Sequence, residues 1–264
     1  MKNMNTMTLL AAGTCAMIAA SAANAALVAA WDFQTTTTGG TAVVAAATGA
    51  NANTTPKVYV SNFGSGTLYL NGTNFSSNWS LPATGGTNAE ISAFGGTSVN
   101  ADTSIGMSTT LTSPAALALL GGARSGTAGN YVYNANGKAM VFKFSMTNLS
   151  SLSISLAMQK TATGFTTQVW ESSTDGSNWS SIGTVNSIQS SFTAANNGLV
   201  TSLTAGSGID GAATAYVRVT FSGATDATGN NRLDNIQFNA TAVPAPGAIA
   251  LLGVAGLVGA RRRR

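Results

Sequence analysis

The feature that most limits what this chain can fold into is the alternation between Lys138 and Met158. Met140, Phe142, Phe144 and Met146 occupy every second position of its first half. Leu152, Ile154, Leu156 and Met158 do the same in the second, interleaved with Ser151, Ser153, Ser155 and Ala157. Side chains of an extended chain point to opposite faces in turn, so this spacing builds strands with one apolar face. One polar and one apolar face is the pattern of antiparallel strands covering one side of a core. With a turn near Asn148, the stretch 138–158 is an expected hairpin.

A second hairpin is expected over 165–185. Phe165 to Ser173 and Trp179 to Val185 are joined across Asp175-Gly176, a dipeptide suited to tight turns between strands. Leu199–Leu203, Ala213–Ser222 and Leu233–Thr241 add further strands. Leu27–Gln34 opens the set, with Trp31 and Phe33 on one face and Asp32 on the other. Residues 35–130 read less clearly. They are rich in Gly, Thr and Asn, with short apolar patches at Val43-Val44, Val58–Val60 and Leu68–Leu70 and isolated aromatics at Phe63, Phe75, Trp79 and Phe94. Pro114–Leu120 has room for one or two helical turns before Gly121-Gly122 ends them. No stretch of ten or more residues carries a helical period. The expectation is an all-β, antiparallel β-sandwich over residues 26–240.

Four segments of that body resemble the jelly-roll-like, galactose-binding-like β-sandwich modules of exported bacterial proteins. They are Trp31-Asp32-Phe33, the SSTDGSNW segment Ser172–Trp179, the YVRVTF strand Tyr216–Phe221 and the GNNRLDNIQF ending Gly229–Phe238. The resemblance implies that the first and last strands lie close together, which puts both ends of the body near one edge. About 200 residues bury enough surface to need no disulfide staple.

Both ends carry targeting features. Lys2, the apolar run Met7–Ala20 and the small-residue site Ala23-Asn24-Ala25 read as a signal peptide over 1–25, with the mature chain starting at Ala26. The alternative is a first membrane anchor. Cys15 is the one cysteine and would leave with the signal, so the mature body holds no thiol. Thr14 before it, and the lack of a Leu three residues upstream, argue against a lipid-modified cysteine. The chain closes with Val243-Pro244-Ala245-Pro246, an uncharged run from Gly247 to Ala260, and Arg261, Arg262, Arg263 and Arg264. As a helix that run measures roughly 21 Å at about 1.5 Å per residue, short of a hydrocarbon core roughly 30 Å thick. The order of parts over 243–264 resembles the PEP-CTERM sorting signal, with Ala245 where the family usually has Glu. The resemblance implies an exosortase-type processing enzyme as partner, transient membrane anchoring, and delivery to the cell envelope or beyond it. The alternative is a short transmembrane helix that is never cut.

Charge excludes more than it suggests. Five of the twelve Lys and Arg sit in the two ends, leaving seven in residues 26–242 against all eight Asp and Glu. The basic pI thus belongs to the targeting segments and points to no nucleic-acid partner. With no His in the chain and no Cys after the signal, Ser-His-Asp, Cys-His and His- or Cys-ligated zinc sites are excluded. Glycoside hydrolysis needs only two carboxylates, and the candidates are Asp32, Glu90, Asp102, Glu171, Asp175, Asp210, Asp226 and Asp234. They show no pairing in sequence. Asp175-Gly176 to Trp179 echoes an Asp-box but is one residue short, so a hairpin with Trp179 packed on the sheet is expected. Asp226, Asn230, Asn231 and Asp234 offer oxygens for Ca²⁺ in a Gly/Asn loop, against which a plain Asx-rich turn is preferred and no metal or cofactor expected. Trp79, Tyr131 and Tyr133 could stack on sugar rings, though core burial is the commoner fate of such residues. The expected function is therefore a non-enzymatic exported cell-surface or matrix protein, its alternative a carbohydrate-binding module for polysaccharide. Exposed aromatics beside polar groups on one face would favour the module. Two carboxylates about 5–9.5 Å apart in a cleft would favour a hydrolase.

Overall fold

A computed structural model of the chain describes residues 25–33, 57–80, 90–94, 96–107, 116–124, 131–132, 135–186, 188–190 and 200–243. Among the described residues there is no α-helix, and every strand pairing is antiparallel. The strands are β1 (Ala25–Trp31), β2 (Val58–Val60), β3 (Phe63–Gly64), β4 (Gly66–Tyr69), β5 (Ile91–Phe94), β6 (Ala116–Leu120), β7 (Ala123–Arg124) and β8 (Tyr131–Val132). They continue with β9 (Ala139–Phe144), β10 (Leu149–Lys160), β11 (Thr167–Ser173), β12 (Ser180–Val185), β13 (Val200–Thr204), β14 (Ala215–Ser222) and β15 (Asn230–Ala242). Sheet I runs β13-β10-β15-β1-β3, with β6 also on β15 and β5 on β6; sheet II runs β12-β11-β14-β9-β4-β2. A separate pair joins β7 to β8.

The alternating side chains decide how the sheets meet. On β14, Ala215, Val217, Val219 and Phe221 are fully buried, while Tyr216, Arg218, Thr220 and Ser222 face outward and are half-buried. On β10, Leu152, Ile154, Leu156 and Met158 are buried likewise. Phe142 of sheet II lies 5.0 Å from Trp31 and 4.8 Å from Phe238 of sheet I, centroid to centroid, and Phe144 lies 5.1 Å from Phe238. The two apolar faces therefore share one aromatic core. Each of the four tryptophan N–H groups has an acceptor: Trp31 donates to Tyr59 O, Trp79 to Ala139 O, Trp170 to Gln168 Oε1 and Trp179 to Gly176 O. That satisfies the polar edge of the three fully buried rings, Trp31, Trp79 and Trp170, and of the half-exposed Trp179.

Four expectations are corrected by this arrangement. The stretch 138–158 is no hairpin: β9 pairs with β14 and β4 in sheet II, whereas β10 pairs with β15 and β13 in sheet I. The link around Asn148 (φ 60°) carries the chain across the core from one sheet to the other. The stretch Pro114–Leu120 contains a strand instead of a helical turn, because Ala116–Leu120 finds partners in β15 and β5. The opening strand stops at Trp31, since Phe33 takes a positive φ of 51°, and Asp32 is fully buried. First and last strands do pair, yet β1 lies inside sheet I between β15 and β3, away from its edge. The 165–185 hairpin is present as β11–β12, paired from Gln168↔Val185 to Ser172↔Ser180 with a register shift between Trp170 and Glu171.

Candidate functional site

The two sheets present very different outer faces. That of sheet I is roofed by residues 96–107. A bulge in β15 makes this possible: opposite β10 the register slips between Ser155↔Gln237 and Ala157↔Asp234, and Asn235 takes a φ of 45°. One extra residue turns Asp234, Asn235 and Gln237 all toward the roof. Asp234 accepts from Thr97 N, Asn235 Nδ2 donates to Thr97 O and Val99 O, and Gln237 donates to Asn100 O. Asn100 Nδ2 returns a bond to Asn235 O. Burial drives the Asp234 carboxyl well above the usual carboxylate range, and the nearby charge of Asp32 adds to the rise.

The outer face of sheet II is partly exposed: Thr67, Tyr69, Lys143, Tyr216 and Arg218 are half-buried and Val60 is exposed, while Val141 and Ser173 are buried. Its ladder puts Glu171, Arg218, Val141, Tyr69 and Val58 in one row, and Ser173, Tyr216, Lys143, Thr67 and Val60 in the next. Two loops add rings. Trp179 arrives on the β11–β12 hairpin, whose turn is tied by Asp175 accepting from Ser177 N, Asn178 N, Asn178 Nδ2 and Ser173 Oγ. Those bonds, chiefly the ones from Asn178, hold the Asp175 carboxyl well below its ordinary range. Phe75 arrives on the loop after β4, where Asn74 and Phe75 both have positive φ, 48° and 67°. A left-handed Phe is uncommon and costs free energy, so the loop has to be held from outside. The Asn71↔Asn78 bridge and the bonds of Gly72 N to Ser77 O and Ser76 N to Thr73 O do so.

Phe75 remains 47 % exposed while its ring meets Tyr216 edge-on at 5.2 Å and Trp179 at 6.3 Å. Arg218 stacks 4.0 Å over Trp179 and donates two bonds to Glu171, at 2.9 and 2.6 Å. The pair is partly exposed, so it is worth only about 0.2–1 kcal/mol in stability; its effect is to fix Arg218 under the indole. Across Tyr216 the face dips into a groove of about 450 Å³, lined among others by Val60, Ser65, Thr67, Tyr69, Lys143 and Thr214. An aromatic cluster with fixed polar groups thus stands beside a hydroxyl-lined groove on one sheet face. Such a surface can stack on the apolar faces of sugar rings and hydrogen-bond their edges.

The sequence pointed elsewhere for part of this. Trp79 is fully buried against Phe165 and Phe221, in keeping with the preference for core burial. Tyr133 and the side chain of Tyr131 lie outside the described residues. Phe75, Tyr216, Lys143 and Arg218 were not singled out as site residues. Their signal was available in the polar positions of the alternating strands, Lys143 in β9 and Tyr216 and Arg218 in β14. Trp179 is on the expected hairpin, packed on the sheet through Arg218.

The supposed calcium loop comes apart. Asp226 accepts from Thr228 N and Oγ1 in an Asx turn, which lowers its carboxyl pKa, whereas Asn230, Asn231 and Asp234 belong to strand β15. Among the described residues no three His, Cys, Asp or Glu side chains are grouped so that they could hold a metal ion. The remaining carboxylates have structural partners too. Glu90 is ion-paired with Lys138 and accepts from Ser80 N, Asp102 accepts from Ser104 N and Oγ, and Asp210 accepts from Ser151 N. None of the eight lines the groove. Of the terminal site residues, Ala25 and Ala26 begin β1 opposite Thr241 and Ala240, and Val243 N donates to Asn148 O. Ala23, Pro244, Ala245, Pro246 and Arg261–Arg264 lie outside the described residues.

Neither a protein-family model nor a curated protein matches the sequence. Among solved structures, the K3 cleaved adhesin domain of Lys-gingipain from Porphyromonas gingivalis W83 is similar at 12 % identity, covering 82 % of this chain and 99 % of that one, with a TM-score of 0.38. A family 35 carbohydrate binding module from an environmental isolate matches at 15 % identity over 48 % of this chain and 88 % of its own, with a TM-score of 0.28. TmCBM61, solved in complex with β-1,4-galactotriose, matches at 9 % identity over 56 % and 81 %, with a TM-score of 0.29. At these scores the likenesses carry no weight for what this chain binds.

Proposed function

We propose that this chain is a non-enzymatic, exported polysaccharide-binding protein. Its jelly-roll-like body binds sugar on the outer face of sheet II, and its ends direct it out of the cell. The observation that carries the binding reading is the cluster of Phe75, Trp179 and Tyr216 beside Arg218, Glu171 and the adjoining groove. Exposed rings held by a strained loop and a tied hairpin are an unfavourable way to finish a surface that contacts only water. The carboxylate assignments support a non-catalytic role, since a hydrolase needs two carboxylates free to face a substrate. Export rests on the signal peptide over 1–25 and on the PEP-CTERM-like tail, whose processing partner is an exosortase-type enzyme.

Glycan-array binding of the full-length chain, purified in mild detergent, tests the binding reading. At least one polysaccharide class is expected to bind, with Trp179→Ala weakening it by roughly tenfold or more, the scale of one lost stacking contact. Binding of no glycan, or binding unchanged by Trp179→Ala, would overturn it.

A further inference from the structure

We infer that the polysaccharide taken by the sheet II face is acidic, bearing an oxyanion such as a uronate carboxylate or a sulfate ester, and that Lys143 is the group that meets it. This rests on the binding face proposed above and adds its ligand class. The groove is lined by Val60, Gly64–Thr67, Tyr69, Lys143–Ser145 and Ala213-Thr214, a set containing one charge and no Asp, Glu, Asn or Gln. Neutral sugars present hydroxyl pairs, which are held best where carboxylate or carboxamide oxygens can accept from them. Here the side-chain groups are hydroxyls and one ammonium, so an incoming anion would complete the site.

Among the cations whose side chains are described, Lys143 differs in having no hydrogen bond or ion pair to a described residue. Lys138 is paired with Glu90 and Arg218 with Glu171; Lys57 donates to Asn78 Oδ1 and Lys160 to Thr161 O. Arg232 lies over the Phe94 ring and reaches the side-chain oxygen of Gln159. Lys143 Nζ has no hydrogen bond or ion pair among the described residues, and lies 5.9 Å from the Tyr216 ring centroid, the outer limit of a cation–π contact. Its ladder neighbours on this face, Thr67 and Tyr216, carry no charge. An ammonium is a compact charge with three donors, all still available to an oxyanion at the groove mouth. Tyr69 within the groove and Tyr216 beside it supply aromatic surface for the same sugar unit.

The test is calorimetric titration of the full-length chain with three sets of oligosaccharides: neutral glucan, polyuronate and sulfated glycan. The natural protein is expected to prefer one of the acidic sets, the two identifying which oxyanion is bound, and to lose affinity as salt rises. Lys143→Met keeps most of the stem and removes the charge, and is expected to weaken acidic binding by roughly ten- to a hundredfold. Lys143→Arg should retain most of it. Equal or better binding of neutral glucan, or acidic binding unchanged in Lys143→Met, would overturn the acidic assignment while leaving polysaccharide binding in place. Failure to bind any set would overturn both. Should Lys143→Met melt well below the natural protein, the salt titration decides, and a flat response would overturn the assignment.

Discussion

Asn78-Trp79-Ser80 and Asn178-Trp179-Ser180 are the same three letters with opposite fates. Trp79 is sealed between Phe165 and Phe221, and emptying its site would cost about 3–5 kcal/mol. Trp179 stays half-exposed on a hairpin, with Arg218 against its ring. The triplet is identical, so its surroundings and not its own letters separate core from surface. Asp234 gives the same lesson. Its Gly/Asn context reads as a loop, yet a bulge buries it in a strand beneath residues 96–107. The consequence can be measured. A carboxyl whose folded-state pKa is raised holds its proton more tightly when folded, so its contribution is most favourable below its ordinary pKa of about 3.9 and is lost as pH rises through the raised value. The shifts of Asp175 and Asp226 run the other way, so absolute melting curves mix the two effects. The difference between Asp234→Asn and the natural protein isolates the one. Asn retains an oxygen for Thr97 N, and its melting temperature relative to the natural protein should rise as pH increases above about 4, with a chelator present to keep stray cations off the carboxylates. A difference independent of pH would refute the assignment.

At the scale of elements, strands whose alternation lines up with one buried face were legible. β9, β10 and β14 follow their apolar letters, and Asp175-Gly176 marked the β11–β12 hairpin. Partners were not legible, because pairing is chosen across the core. The four residues between β9 and β10 are as compatible with a crossing as with a hairpin. Ala116–Leu120 is too short and too uniformly apolar for its period to separate strand from helix. The binding face was missed for a related reason: it is assembled from loops and five strands, β2, β4, β9, β11 and β14, far apart in sequence. Its most exacting joint is Gly176. There φ is +73°, and the space a β-carbon would need is filled by the Phe75 ring. Gly137 supplies a control, at φ +86° with nothing within 4 Å. Gly137→Ala should cost only the strain of a left-handed alanine, about 1–2 kcal/mol. Gly176→Ala should cost measurably more in urea unfolding, and Phe75→Ala in that background should return the excess. Equal losses for the two glycines would mean that Phe75 does not press on the hairpin.

At the scale of the whole molecule, charge distribution links the body to its ends. The two sheets share one core through Trp31, Phe142 and Phe238. The full chain has a net charge of +4 and a pI near 9.5, yet residues 26–242 hold seven cations against eight carboxylates. Nearly all the basicity therefore resides in the segments proposed to be removed. An apolar run roughly 21 Å long as a helix would stall in a bilayer core roughly 30 Å thick without anchoring firmly, with Arg261–Arg264 held on the inner side. A protease groove takes its substrate as extended chain, the form that Pro244 and Pro246 would favour in the sorting signal proposed above. If both ends are cut, the protein changes from strongly basic to slightly acidic. Isoelectric focusing of protein recovered from the cells that make it should then give a species focusing below neutrality, and replacing Pro244 and Pro246 should accumulate a basic form that still carries the arginines. A native population that focuses only in the basic range, with intact mass ending at Arg264, would make the tail a permanent anchor and remove the exosortase-type enzyme from the account.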